Sequence, residues 1–132
     1  MFTNRKNAGR VAYPGKKTID ALLEPAREFM RANQIPASRI YAGEFGCYRK
    51  NAGCEEYLRD LGALFNHEGW HWSFYGYRED EWDGMDYEMG PTRGLSEKYW
   101  KEVEAGRYPS RVEFYPAASP LWKALTDALR KP

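Results

Sequence analysis

Histidine, cysteine and long apolar runs are scarce in this chain, and neither sign of charge prevails. The two histidines, His67 and His71, straddle Gly69, so they do not share a helix face as paired ligands would. With no further Cys or His at ligand spacing, no metal site is expected, and nothing calls for a cofactor. The two cysteines, Cys47 and Cys54, permit one disulfide in an oxidising compartment but no disulfide framework, and their pairing stays open. Neither stands beside a base at the spacing of a thiol nucleophile. No apolar run approaches the roughly 18 residues of a membrane span. The opening MFTNRKNAGR lacks the apolar core of a secretory signal, so a soluble, untargeted chain is expected. Lys and Arg number 20 against 19 Asp and Glu, and no basic block stands apart from neighbouring acids. That balance sets aside nucleic acid and anionic membranes as partners.

What is abundant is aromatic: five Trp, ten Tyr and six Phe in 132 residues. Trp and Tyr join a flat apolar face to a polar tip, so such a surplus implies an aromatic core, a surface that stacks on flat ligands such as sugar rings, or both. The length and the balance of 42% apolar to 30% charged residues fit one domain over residues 1–132.

Along the chain, a polar opening ends at Pro14-Gly15, a turn signal. Leu22, Ala26, Phe29 and Met30 recur at helical spacing, which predicts one helix over 18–33 with Pro25 early in a fresh start or at a kink. IYAGEFG, Ile40 to Gly46, reads as a short strand too apolar to have a wet face, as in a parallel sheet. CEEYLRDLGALFNHEG places Leu58, Leu61 and Phe65 on one stripe, Glu55 and Glu56 in the first turn and Gly69 at the stop. WHWSFYGY then reads as a second strand, rich in the aromatics that strands favour. The order helix, strand, helix, strand predicts a parallel α/β sheet. An acidic loop from Arg78 to Gly94, a helix over 96–105 capped by Ser96, and a last helix capped by Ser119 complete the reading. In that last helix Pro120 takes the first position, and Leu121, Leu125, Ala128 and Leu129 form the buried stripe.

One carboxylate stands out: Glu44 follows the first apolar strand, where parallel α/β proteins place their chemistry. IYAGEFG, a helix, the strand GWHWSFYGYRE and the loop WDGMDYEMG together resemble the seventh and eighth strands of family 5 glycoside hydrolases, the cellulase-like retaining (β/α)8 barrels. The opening resembles the loop leaving the sixth strand and the last helix the one that closes the barrel, so the resemblance spans nearly the whole chain. It implies a partial TIM barrel, from after strand 6 to helix 8, in the α/β class. It implies Glu44 as the catalytic nucleophile and Trp72 as the floor of the sugar subsite. Tyr75, Tyr77, Arg78, Glu79 and Trp82 would make further substrate contacts. The implied substrate is a β-linked polysaccharide such as cellulose, a related glucan or mannan. The compartment of a longer secreted or periplasmic parent stays unknown.

Retaining hydrolysis needs an ionised carboxylate to attack and a protonated one roughly 5 Å away to assist departure. The family's acid/base glutamate follows an asparagine, and no Asn-Glu pair exists here. A (β/α)8 barrel also needs at least about 200 residues. The expectation is therefore a C-terminal fragment carrying the nucleophile without its proton donor, inactive or very weak alone. Unpaired strand edges would lead it to self-associate into a homo-oligomer. The alternative is a non-catalytic carbohydrate-binding or self-assembling fragment. The plainer structural readings are Glu44 as a helix cap or a partner of Arg49, Trp72 as core and Trp82 as a loop anchor. Asp86 and Glu88 then take structural or substrate-contact roles.

Overall fold

The computed structural model describes residues 13–76, 83–89, 95–107 and 119–130. Among them, helices and strands follow in the order α1 (Lys16–Leu22), α2 (Glu24–Ala32), β1 (Tyr41–Ala42), α3 (Cys54–Glu68), β2 (His71–Trp72), α4 (Leu95–Glu104) and α5 (Pro120–Leu129). Single 3-10 turns lie at Ala37–Arg39, Asp83–Met85 and Tyr87–Met89.

The centre of the fold is α3 against α5. On α3 the apolar spacing buries Leu58, Leu61, Leu64 and Phe65, and on α5 it buries Leu121, Ala124, Leu125 and Ala128. Glu55 and Glu56 sit in the first turn of α3. Its end is set by Gly69, whose φ of 71° lies in the left-handed region that glycine adopts without penalty. Ser119 caps α5 by accepting a hydrogen bond from the Trp122 amide at 3.4 Å, and Pro120 opens the helix where its missing N–H costs nothing. Phe45, Trp70 and Tyr87 add aromatic surface to the same core, with Phe65 stacked on Trp70 at 5.9 Å and edge-on to Phe45 at 5.3 Å.

Several expectations are corrected. The partial (β/α)8 barrel of the α/β class is not what forms: the described chain is mostly helical, and its sheet is one parallel pair of two-residue strands, Tyr41 against His71 and Ala42 against Trp72. The apolar runs that suggested longer strands spend their side chains on the helix layer and on loop packing instead, as Phe45 and Phe74 show. The single helix over 18–33 is two, because the chain breaks at Leu23 and restarts with Pro25 in the first turn of α2. Of the apolar positions at helical spacing, Leu22 is 72% and Phe29 60% exposed, while Met30 packs against the core and Ile19 is the residue of α1 that enters it. On α5, Leu129 is likewise exposed. α4 begins at Leu95, so Ser96 lies inside the helix rather than capping it.

Cys47 and Cys54, whose pairing the sequence left open, are joined by a disulfide with a Cα–Cα distance of 5.7 Å. The bond ties the loop after β1 to the first turn of α3. The histidines are separated as expected, His67 on α3 and His71 on β2.

Candidate functional site

The site is built from the ends of β1 and β2. Parallel pairing is carried by His71 N–H donating to the Ile40 carbonyl at 2.9 Å and Ser73 N–H to Ala42 at 3.0 Å. The next bond runs from Tyr75 N–H to the Phe45 carbonyl at 2.8 Å. Residues 42 to 45 thus oppose residues 73 to 75, so the first strand carries one extra residue at Gly43-Glu44. A bulge of this kind re-aims a side chain and ends regular pairing. Glu44 is exposed, and among the described residues its carboxylate has no hydrogen-bond or ion-pair partner. It neither caps a helix nor pairs with Arg49, which is 1% exposed.

The loop behind Glu44 is held from beneath by Tyr87. The phenolic oxygen accepts from Cys47 N–H at 2.9 Å and donates to the Tyr75 carbonyl at 2.9 Å, with the Cys47 carbonyl at 3.2 Å. Ser119 Oγ in turn donates to the Tyr87 carbonyl at 2.5 Å, linking this anchor to the cap of α5. Burial pushes the Tyr87 hydroxyl up to about 12, and the Cys47 amide pulls the other way. Gly46 is required here, because a Cβ would lie 2.4 Å from Tyr87 Oη and 2.5 Å from the Tyr75 carbonyl oxygen.

Trp72, expected as the floor of the sugar subsite, is half-buried, whereas Glu44 is exposed. Ala42 and Trp72 turn inward, and the indole stands over Gly62 of α3, edge-on to Phe45 at 5.5 Å. Its N–H donates to Asn66 Oδ1 at 2.9 Å, and the same Asn66 donates to the Ala128 carbonyl of α5. Half-buried Trp72 therefore fastens β2 to the helix layer. Tyr75 is half-buried beside the Glu44 loop. Tyr77, Arg78, Glu79 and Trp82 lie outside the described residues. Asp86, read as part of a loose acidic loop, is instead fully buried between the two 3-10 turns.

The outward face carries residues the sequence reading passed over. Tyr41 is 63% exposed; its ring lies beside Gly43, and its hydroxyl donates to Ser73 Oγ at 2.7 Å. Ser73 Oγ passes a hydrogen bond to the Gly43 carbonyl at 2.5 Å. An open aromatic ring, held through Ser73 to the Gly43 carbonyl, thus flanks the bulge that presents Glu44. Strand alternation was the available signal, since Tyr41 and Ala42 must point to opposite faces. No group of three or more metal-ligating side chains is gathered among the described residues. No family model matches the chain, and no curated protein matches its sequence.

Proposed function

We propose that the chain engages β-linked polysaccharide, such as cellulose, a related glucan or mannan, with Glu44 as the nucleophile of a retaining glycosidase. In this reading it corresponds to the C-terminal part of a family 5 glycoside hydrolase and lacks that family's acid/base glutamate. The observation that carries the proposal is the bulge after β1, which presents to solvent a carboxylate without a partner among the described residues, and which the open ring of Tyr41 flanks at Gly43. Stacking on that ring orients a pyranose without specifying its hydroxyls.

In the first half-reaction a Glu44 oxygen bonds to the anomeric carbon as the glycosidic C–O bond breaks, and the leaving oxygen takes the electron pair. Without a proton donor, natural glycans leave slowly, whereas a dinitrophenolate departs unaided. Incubation with 2,4-dinitrophenyl 2-deoxy-2-fluoro-β-cellobioside should therefore leave a glycosyl adduct on the peptide containing Glu44, read by mass spectrometry. Glu44→Gln should abolish it. An unlabelled wild-type chain, or a label that persists in Glu44→Gln, refutes the nucleophile assignment.

The inward turn of Trp72 favours a second reading, in which the chain binds sugar or assembles with itself without turnover. Among the described residues the outer edges of the strand pair carry no further strand. A second copy covers those edges in this reading, and a monomer by gel filtration would exclude that arrangement.

A further inference from the structure

Directly behind the Glu44 loop is a cleft of about 520 Å³, within the range of small-molecule sites. Its aromatic walls are Tyr13, Tyr48 and Tyr57, and Asn51 and the disulfide-bonded Cys47 and Cys54 are among the residues that line it. None of these residues belongs to the proposed reaction centre.

The cleft is built rather than incidental. The Tyr13 hydroxyl donates to the Asp60 carboxylate of α3, which fixes that wall. The disulfide joins the Cys47 side to the α3 side, so the two walls cannot drift apart. Tyr48 is 37% exposed, with Lys50 Nζ 5.4 Å from its ring centroid. Two polar groups are left over. The Tyr57 hydroxyl and the Asn51 side-chain amide have no hydrogen-bond partner among the described residues, although Tyr57 is buried enough for its hydroxyl to be pushed up by desolvation. A half-buried hydroxyl and an amide without partners among the described residues suit a ligand that carries its own donors and acceptors on a ring with an apolar face.

We infer that the cleft between Tyr13, Tyr48 and Tyr57 is a second carbohydrate subsite, taking pyranose rings of a β-linked oligosaccharide against Tyr48 and hydrogen-bonding their hydroxyls through Tyr57 and Asn51. The ligand class rests on the reading given under Proposed function. The site itself is independent of Glu44 chemistry. Gly46 and Cys47 line the cleft two and three positions after Glu44.

The test is a titration of the full chain with cellotetraose, followed by intrinsic fluorescence and calorimetry, with far-ultraviolet circular dichroism confirming each variant's fold. Tyr48→Ala should weaken binding about tenfold. Tyr57→Phe, which keeps the ring, should weaken it about fivefold through the lost hydroxyl. Phe29→Ala, on exposed α2, should leave it unchanged. Equal affinity for the wild type, Tyr48→Ala and Tyr57→Phe, or no saturable binding by the folded wild-type chain, overturns the assignment. Failure of the fluoroglycoside to label Glu44 while Tyr48→Ala still weakens binding removes the hydrolase reading and leaves the cleft standing. Labelling of Glu44 with binding insensitive to both tyrosines removes the cleft alone.

Discussion

The phenolic oxygen of Tyr87 stands 2.9 Å from the backbone nitrogen of Cys47, across 40 positions of sequence. That bond joins the loop that presents Glu44 to a 3-10 turn the sequence read as part of a long acidic loop. Because Tyr87 is fully buried, water cannot replace the bond when it is lost.

Tyr87→Phe should destabilise the chain by about 1–3 kcal/mol, since it keeps the ring and strands the Cys47 amide and the Tyr75 carbonyl. The pH dependence follows from the raised pKa of the phenol. The folded state holds its proton more tightly than the unfolded chain, so the contribution is complete below about pH 10. It is lost as pH rises toward about 12. Urea midpoints measured on the alkaline side should fall less steeply in Tyr87→Phe than in the wild type. Parallel curves would mean that this phenol does not govern the alkaline limb.

The Cys47–Cys54 bond closes a loop with a sequence separation of 7. On a chain-entropy basis so short a loop stabilises by about 2.5 kcal/mol. Cys47→Ser/Cys54→Ser should lower stability by about that amount in denaturant unfolding, and adding reductant to the wild type should reproduce the loss. An unchanged midpoint under reducing conditions would show that the ends are held together without the bond.

Much of the helical layer was legible. The α3 stripe, its acidic first turn and its Gly69 stop, and the Ser119-Pro120 start of α5, are local signals, and local signals survive folding. The sheet was not legible, because a strand is completed by partners elsewhere in the chain. IYAGEFG and WHWSFYGY supply apolar residues that the helices and loops claim first, so pairing shrinks to Tyr41-Ala42 and His71-Trp72. Glu44 could be singled out by its position after an apolar run, but its exposure depends on a one-residue mismatch between strands that only the paired structure reveals. The inward packing of Trp72 was illegible for a similar reason. Its spacing says nothing of which face it takes, and the choice was made by Asn66 and Gly62 on α3.

Arg27 shows how the broken helix over 16–32 is held, and with Arg31 it bears on the acid titration of Glu24. From α2 its guanidinium donates to Asp20 of α1 at 2.5 Å, to Glu24 at 3.2 Å and to Glu68 at the end of α3 at 2.9 Å. Hydrogen bonds from Arg31 and then Arg27 hold the Glu24 carboxyl below its ordinary value of 4.5. A depressed folded pKa means the contribution is present above that ordinary value and is lost as pH falls through the folded one. Urea midpoints taken from about pH 6 to about pH 3 should therefore fall in the wild type. In Arg27→Met, which keeps much of the stem packing, the midpoint should start lower near neutrality and fall less on acidification. Because Arg27 is the only one of these partners that reaches all three helices, the loss should also appear as faster amide exchange in α1. Wild-type and Arg27→Met curves that run parallel throughout would show that Arg27 does not hold the Glu24 carboxyl down.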